Sequence, residues 1–242
     1  MISTTRAIVL KTVKYSESSV IVKMYTELFG LKSFLIRGVR KKHAKVSANL
    51  LQPLSLTEVV FVNKEKDQLH IPKELSSWYQ FTTLPFDVVK TSQAIFINEL
   101  IYRSVREEET NPAFFNFLAS SIIQVDQAQA AQGNLHIAFA LHLTKYLGFF
   151  PLGSYAPQTP YFLLKEGVFG KFKPADDFFL NQQDSEVFDK FLKTTLEDSG
   201  TIGLSSEARR KLLEKIIIYY QLHHIGFGEI KSLEVLSQLF HN

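Results

Sequence analysis

Arg6-Ala-Ile-Val-Leu-Lys-Thr-Val13, Ser19-Val-Ile-Val-Lys-Met-Tyr-Thr-Glu-Leu28 and Leu31-Lys-Ser-Phe-Leu-Ile-Arg-Gly-Val39 follow one another with only short polar interruptions. Each is short, β-branched and aromatic with polar residues interleaved, the composition of a half-buried strand. Tyr15-Ser16-Glu17-Ser18 supplies the first turn, and Phe29-Gly30 a second one tight enough to make strands two and three a hairpin. Residues 44–51 then have the look of one or two helical turns. Leu54–Val62 and Gln68–Ile71 read as two further strands across the polar turn Asn63-Lys64-Glu65-Lys66-Asp67. Three strands, a short helix and two strands in about 75 residues is the plan of an OB-fold, a small Greek-key barrel that commonly binds oligonucleotides. A small barrel of the SH3 type satisfies the same pattern.

After Trp78 the apolar period changes from two to about 3.6. Residues 86–106 carry Val88, Val89, Ala94, Ile95, Ile97, Leu100 and Ile101 at helical spacings, and Asn111-Pro112 opens a second helix at its N-cap and first-turn positions. A third runs from Asn134 to Leu147 and stops at Gly148, with Pro151 beyond. Residues 161–172 alternate around Glu166-Gly167, which predicts a β-hairpin inserted between helices. Ser185–Leu196, Ser205–Ile225 and Ser232–Phe240 complete the helical set, each with Ser at or near its N-cap. The expectation is an α+β protein: an N-terminal five-stranded OB-fold barrel over 1–79, then a mostly helical domain over 80–242 with a small hairpin near 161–172.

The 242 residues are 45% hydrophobic with no Cys, which suits a globular core and excludes a disulfide scaffold, a thiol nucleophile and any zinc site built on thiolates. The start lacks the basic and apolar regions of a signal peptide. The longest uncharged stretch, residues 146–164, contains Pro151, Pro157 and Pro160, which a membrane-spanning helix would not tolerate at that spacing. Charge is uneven. Residues 1–78 hold 13 Lys plus Arg against 6 Asp plus Glu, or +7, whereas residues 79–242 hold 14 against 18, or −4. Such asymmetry points to a nucleic acid or another acidic surface as the partner of the N-terminal part.

Enzymatic motifs are wanting. The seven histidines make no His-Glu-x-x-His and no i, i+4 ligand pair, and His223-His224 late in a helix reads as structural. Gly226-Phe227-Gly228 has Lys231 where a dinucleotide fingerprint needs its third Gly, and Gly170-Lys171 lacks the loop of a phosphate cradle. Glu107-Glu108-Glu109 reads as a solvated loop. No catalytic residue, metal or cofactor is expected. The informative stretch is Arg37-Gly38-Val39-Arg40-Lys41-Lys42-His43-Ala44-Lys45, where five permanent positive charges fall within nine residues at the mouth of a small barrel. Such a cluster can track a phosphate backbone and release its counterions. Arg37, Arg40, Lys41, Lys42 and Lys45 are the first candidates for phosphate contacts, with Arg6, Lys11 and Lys14 behind them. Tyr15, Tyr25, Phe34 and Phe61 are the aromatics within reach for base stacking, about half of which should be core.

Ile-Val-Leu-Lys (8–11), Tyr-Ser-Glu-Ser (15–18), Tyr-Thr-Glu-Leu-Phe-Gly-Leu (25–31) and Arg-Gly-Val-Arg (37–40) resemble, in order and spacing, the RecO family of recombination mediators in bacterial DNA repair. The likeness continues in Leu147-Gly148-Phe149-Phe150-Pro151-Leu152 and Lys231-Ser232-Leu233-Glu234-Val235-Leu236, so it spans nearly the whole chain. The resemblance implies an OB domain followed by a helical domain and binding of single- and double-stranded DNA. It also implies annealing of complementary strands and work with RecR, and in some cases RecF, to load RecA onto strands covered by single-strand-binding protein. A cytoplasmic, nucleoid-associated site of action follows from the same resemblance. The helical domain would dock the acidic tail of single-strand-binding protein, with Lys145, Arg209, Arg210 and Lys211 as candidate cations. Two departures stand out. Many members carry a four-cysteine zinc site after the Gly-Phe-Phe-Pro region, where this chain has no Cys, and members often place charges on the helix where this chain has Ile137-Ala138-Phe139-Ala140. An RNA-binding OB module and a protein adaptor without DNA contact are the competing readings.

Overall fold

A computed structural model describes residues 1–39, 46–64, 68–106, 110–128 and 133–239. The chain forms two compact units, one of residues Met1–Pro85 with Val105–Asp126 and the other of Phe86–Ser104 with the chain from Gln127 onward.

In the first unit, β1 (Ile2–Lys14), β2 (Val20–Thr26), β3 (Gly30–Ile36), β4 (Leu56–Val62) and β5 (Pro72–Ser77) form an antiparallel sheet in the order β3-β2-β1-β4-β5, the OB-like arrangement expected. The ladder itself does not close into a barrel. β3 and the segment leading into β5 meet at one point, a parallel bridge in which Leu35 N–H donates to the His70 carbonyl (2.8 Å) and His70 N–H to that of Ser33 (2.9 Å). β1 is paired on both edges, and Ala7, Ile8, Val9 and Leu10 are all buried, so both of its faces are covered over this stretch, Ala7 and Val9 by the sheet's interior. Its register against β2 slips between Val9 and Lys11, an irregularity of the kind that bends a strand enough to curl a sheet. Ala7, Val9, Val22, Met24, Phe34, Val59 and Phe61 fill the interior, where the Phe34 and Phe61 rings meet edge to face at 5.1 Å, and Leu51 of a short 3-10 turn (Ala48–Leu51) covers one end.

One strand lies elsewhere than the pattern suggests. Gln68–Ile71 contributes only the bridge at His70, and β5 is Pro72-Lys-Glu-Leu-Ser-Ser77. The apolar run misleads because an outer strand can be polar, and because a Pro, which has no N–H to give, is at home as the first residue of such a strand.

The first unit also contains α2 (Pro112–Gln127), whose start Asn111 caps by accepting from Phe114 N–H (3.0 Å). Phe114 and Phe115 pack on Tyr25 of β2, and Thr110 donates to the Leu28 carbonyl (2.9 Å). At the far end the Asp126 carboxylate accepts from the Leu84, Thr83 and Thr82 N–H groups at 2.7–3.1 Å and from the Tyr79 hydroxyl at 2.9 Å. Burial opposes the charge, but these donors outweigh it and hold the carboxyl far below the usual carboxylate range. The helix is thus fastened to the sheet unit at both ends.

The second unit is built round α3 (Leu135–Tyr146), whose Ile137, Ala138, Phe139, Ala140 and Leu141 are wholly buried. A helix apolar all round must be wrapped, and α1 (Val88–Ser104), α4 (Gln182–Lys193) and α5 (Ser206–His223) do so. Gly148, at φ +84°, ends α3 in the left-handed conformation that lets Phe149 N–H reach the Thr144 carbonyl. α6 (Ser232–Leu239) is tied to α1 by Glu99, which accepts from the N–H groups of Lys231 and Ser232. The inserted hairpin is larger than expected: β6 (Tyr161–Leu163) and β7 (Val168–Gly170) are joined by β8 (Phe179–Leu180) in the order β7-β6-β8. Ser185 does not begin α4. Asn181 caps it, and Ser185 is buried one turn in, accepting from Phe162 N–H and donating to the Leu180 carbonyl, so its hydroxyl joins helix to sheet.

Candidate nucleic-acid interface

β3 ends at Ile36 and delivers Arg37 to the surface, exposed. Gly38 follows at φ +73°, a backbone setting that costs an L side chain and turns the chain so that the next residue, Val39, re-enters the core at 9% exposure. Arg40, Lys41, Lys42, His43, Ala44 and Lys45 lie outside the described residues, and the chain resumes with Val46 packed against the same core. The basic stretch therefore leaves from and returns to one hydrophobic body.

Register runs from Lys14 to Val20 to Ile36, so the end of β1 lies level with the end of β3, and it carries Lys11 and Lys14, both exposed, and Tyr15, 62% exposed at the tip of the β1–β2 hairpin. Register places Lys23 of β2 directly opposite Lys11. Like charges facing across a ladder raise each other's energy, and an anion lying over both lowers it. Lys23 was not among the candidates from sequence, because only the strand register shows that it shares a face with Lys11. Of the aromatics considered for stacking, Tyr25, Phe34 and Phe61 are at most 1% exposed and serve as core, so Tyr15 alone of the four has an accessible ring.

Arg6 is differently occupied. Its Nε and Nη2 form a fork on the Glu27 carboxylate at 2.8 and 2.5 Å, and its guanidinium carbon lies 5.2 Å from the Trp78 ring centre and 5.4 Å from that of Phe115. The hydrogen bonds to Glu27 raise the Arg6 pKa, and those from Arg6 lower that of Glu27. This cation clamps β1, the β2–β3 turn and α2.

In the helical unit Lys145 is exposed in the last turn of α3. Arg209 is half-buried, donating to the Asn134 side chain (2.9 Å) and the Leu204 carbonyl, while Arg210 pairs with Glu214 (3.0 Å) and Lys211 with Glu207 (2.5 Å) along α5. Sequence brings Arg209, Arg210 and Lys211 together, but their partners are internal. His223 and His224 contact the Leu164 and Ser104 carbonyls.

The four-cysteine zinc site that the resemblance implies for many family members finds no thiolate in this chain. The region 153–172 contains no Cys, and among the described residues no group of three His, Asp or Glu could hold a metal. The small sheet of this region is packed by rings: Phe162 lies 5.1 Å from Phe169, 4.4 Å from Phe188 and 5.6 Å from Tyr219. Among the described residues no helix is long and apolar enough to cross a membrane.

Two family models match, recombination protein O N terminal over residues 1–80 and recombination protein O C terminal over residues 85–234. The chain is 37% identical over 239 residues to the DNA repair protein RecO of Flavobacterium psychrophilum, covering 98% of each. It is 33% identical over 241 residues to that of Bacteroides fragilis, covering 99% of this chain and all of the relative, and 32% identical over 240 residues to that of Phocaeicola vulgatus at the same coverage.

Proposed function

We propose, from the premise that this chain belongs to the recombination protein O family of DNA repair proteins, that it is a non-catalytic mediator holding single- and double-stranded DNA on its N-terminal unit. The observation that carries the reading is the basic stretch 40–45 flanked by Arg37 and tied at both ends to the sheet's core through Val39 and Val46. Arg37, Arg40, Lys41, Lys42 and Lys45 meet backbone phosphates, and Lys11, Lys14 and Lys23 form a secondary face. Screening phosphate repulsion lets a second strand approach. Annealing then runs downhill, since stacking supplies about 1.4 kcal/mol per step, and it needs neither nucleotide nor metal.

In a cytoplasmic, nucleoid-associated setting the protein works with RecR, and with RecF where that partner takes part, to load RecA onto strands covered by single-strand-binding protein. The acidic tail of the latter docks on the helical unit. Lys145 is the contact to test first, because Arg210 and Lys211 join only by trading ion pairs they already make.

The deciding experiment is binding of oligo(dT) over a range of salt by the protein with Arg40, Lys41 and Lys42 replaced by Ala. Each lost phosphate contact lowers the log–log salt slope by roughly 0.7 for a single strand. A slope equal to that of the unaltered protein places the DNA elsewhere.

A further inference from the structure

We propose that the loop joining β7 to β8 in the helical unit is a second contact for single-stranded DNA, in which Phe172 stacks on a base and Lys171 and Lys173 hold the neighbouring phosphates.

Phe172 is 76% exposed, although it follows a strand whose own Phe169 is buried at 8%. Gly170, the last residue of β7, packs closely on its neighbour: a Cβ there would stand 2.7 Å from the end of the Leu163 side chain, which would have to shift. The strand thus ends pressed on its neighbour, and the chain emerges with Lys171, Phe172 and Lys173 in sequence. Lys171 Nζ lies 5.3 Å from the Phe172 ring centre and Lys173 Nζ 5.3 Å from that of Phe179. Among the described residues neither ammonium has a carboxylate within ion-pair distance, and both rest on rings.

Of the loop's two acids, the Asp176 carboxylate is engaged, and at Asp177 the backbone carbonyl holds a cation. Asp176 is bound by Lys165 at 2.5 Å and accepts from Phe178 N–H, and the Asp177 carbonyl draws in Lys215 Nζ at 2.6 Å, a further cation. An exposed ring with a lysine on either side of it in the chain, one ammonium over that ring and the other over Phe179, fits a ligand offering flat rings and negative charge in alternation, which is single-stranded nucleic acid. An acidic peptide ending in an aromatic side chain would need a recess to bury that side chain, and a ring standing three-quarters free provides none.

The test is photocrosslinking of the full-length protein to oligo(dT) carrying 5-iododeoxyuridine, mapped by mass spectrometry of the digested adduct. A crosslink on Phe172 is expected. Phe172→Ala should keep the unfolding midpoint, since the ring is exposed, and weaken binding roughly fivefold to a hundredfold. Replacing Lys171 and Lys173 by Ala should lower the salt slope by about 1.4, twice the single-contact value. Crosslinks confined to the first 85 residues, with affinity unchanged in Phe172→Ala, overturn the proposal and leave the N-terminal reading intact. A crosslink on Phe172 that persists, at undiminished affinity, when Arg40, Lys41 and Lys42 are Ala supports it while sinking that reading. Loss of binding to an acidic, aromatic-ended peptide in Phe172→Ala, with DNA binding unchanged, also overturns it and reassigns the loop to a protein partner.

Discussion

In the five-stranded sheet a strand as long as Ile2–Lys14 is paired on both edges, and most of the interior is aliphatic: Ala7, Val9, Val22, Met24 and Val59 around two phenylalanines. In the three-stranded sheet no strand exceeds three residues, and the interior is ring upon ring, Phe162 against Phe169, Phe188 and Tyr219. The first is held by many ladder hydrogen bonds and many small apolar contacts, the second by a few large ones. Losing a single contact should therefore be tolerated in one and ruinous in the other. A sheet so small has too little ladder to stand by itself, and in this chain, which has no thiolates to bind a metal, aromatic burial supplies the cohesion.

Phe162→Ala breaks the comparison most directly. Removing a fully buried Phe costs about 3–5 kcal/mol. Hydrogen exchange should show amides of β6, β7 and β8 losing protection while those of β1 to β5 keep theirs. Equal loss in both sheets would show that the two regions are not separately held.

The same contrast explains what could be read from the chain. β1, β2 and β3 announce themselves because β-branched, aliphatic and aromatic residues, with polar ones interleaved, are concentrated between recognisable turns. β5 and β8 do not: Pro72-Lys-Glu-Leu-Ser-Ser77 is polar, its position as an outer strand asking for no apolar alternation, and Phe179–Leu180 is too short to show a period. The site divides likewise. A run of like charge such as 40–45 is visible in any sequence, whereas the pairing of Lys11 with Lys23 depends on register. The engagement of Arg6 with Glu27 and α2 depends on contacts between residues as far as 110 positions apart, as with Asn116. Exposure of Phe172 is equally illegible, since a Phe two positions beyond a strand reads as core.

Acid should separate the two units. Full burial, with the nearby Arg209 charge, pushes His136 of the helical unit down to about 3. Its folded pKa lies below the unfolded value near 6.5, so the unfolded chain binds the extra proton between these limits. Stability from the neutral ring is complete above about pH 6.5 and falls by up to about 1.4 kcal/mol per pH unit towards pH 3. Asp126 of the sheet unit is also depressed, but from the ordinary carboxylate value, so its contribution holds until the pH drops below about 4. Chemical denaturation from pH 7 to 4 followed by exchange in each unit should show the helical unit weakening first, and His136→Gln should flatten that slope. Simultaneous loss, or a slope unchanged in the variant, would remove His136 as the cause.

The smallest effect expected sharpens the comparison between cations that hold the fold and cations that meet a ligand. Arg6→Lys keeps the charge but loses the fork on Glu27 and the planar contact with Trp78 and Phe115, because an ammonium is a point charge with no plane to stack. The pair is partly exposed, with side chains at 38% and 20%, so solvent screening limits the loss to about 1 kcal/mol. A guanidinium already spent on Glu27 has little to offer a phosphate. The salt slope for oligo(dT) should therefore stay that of the unaltered protein while the denaturation midpoint falls slightly. If the slope shrinks by roughly 0.7 instead, Arg6 leaves Glu27 for DNA and belongs with Arg37 among the phosphate contacts.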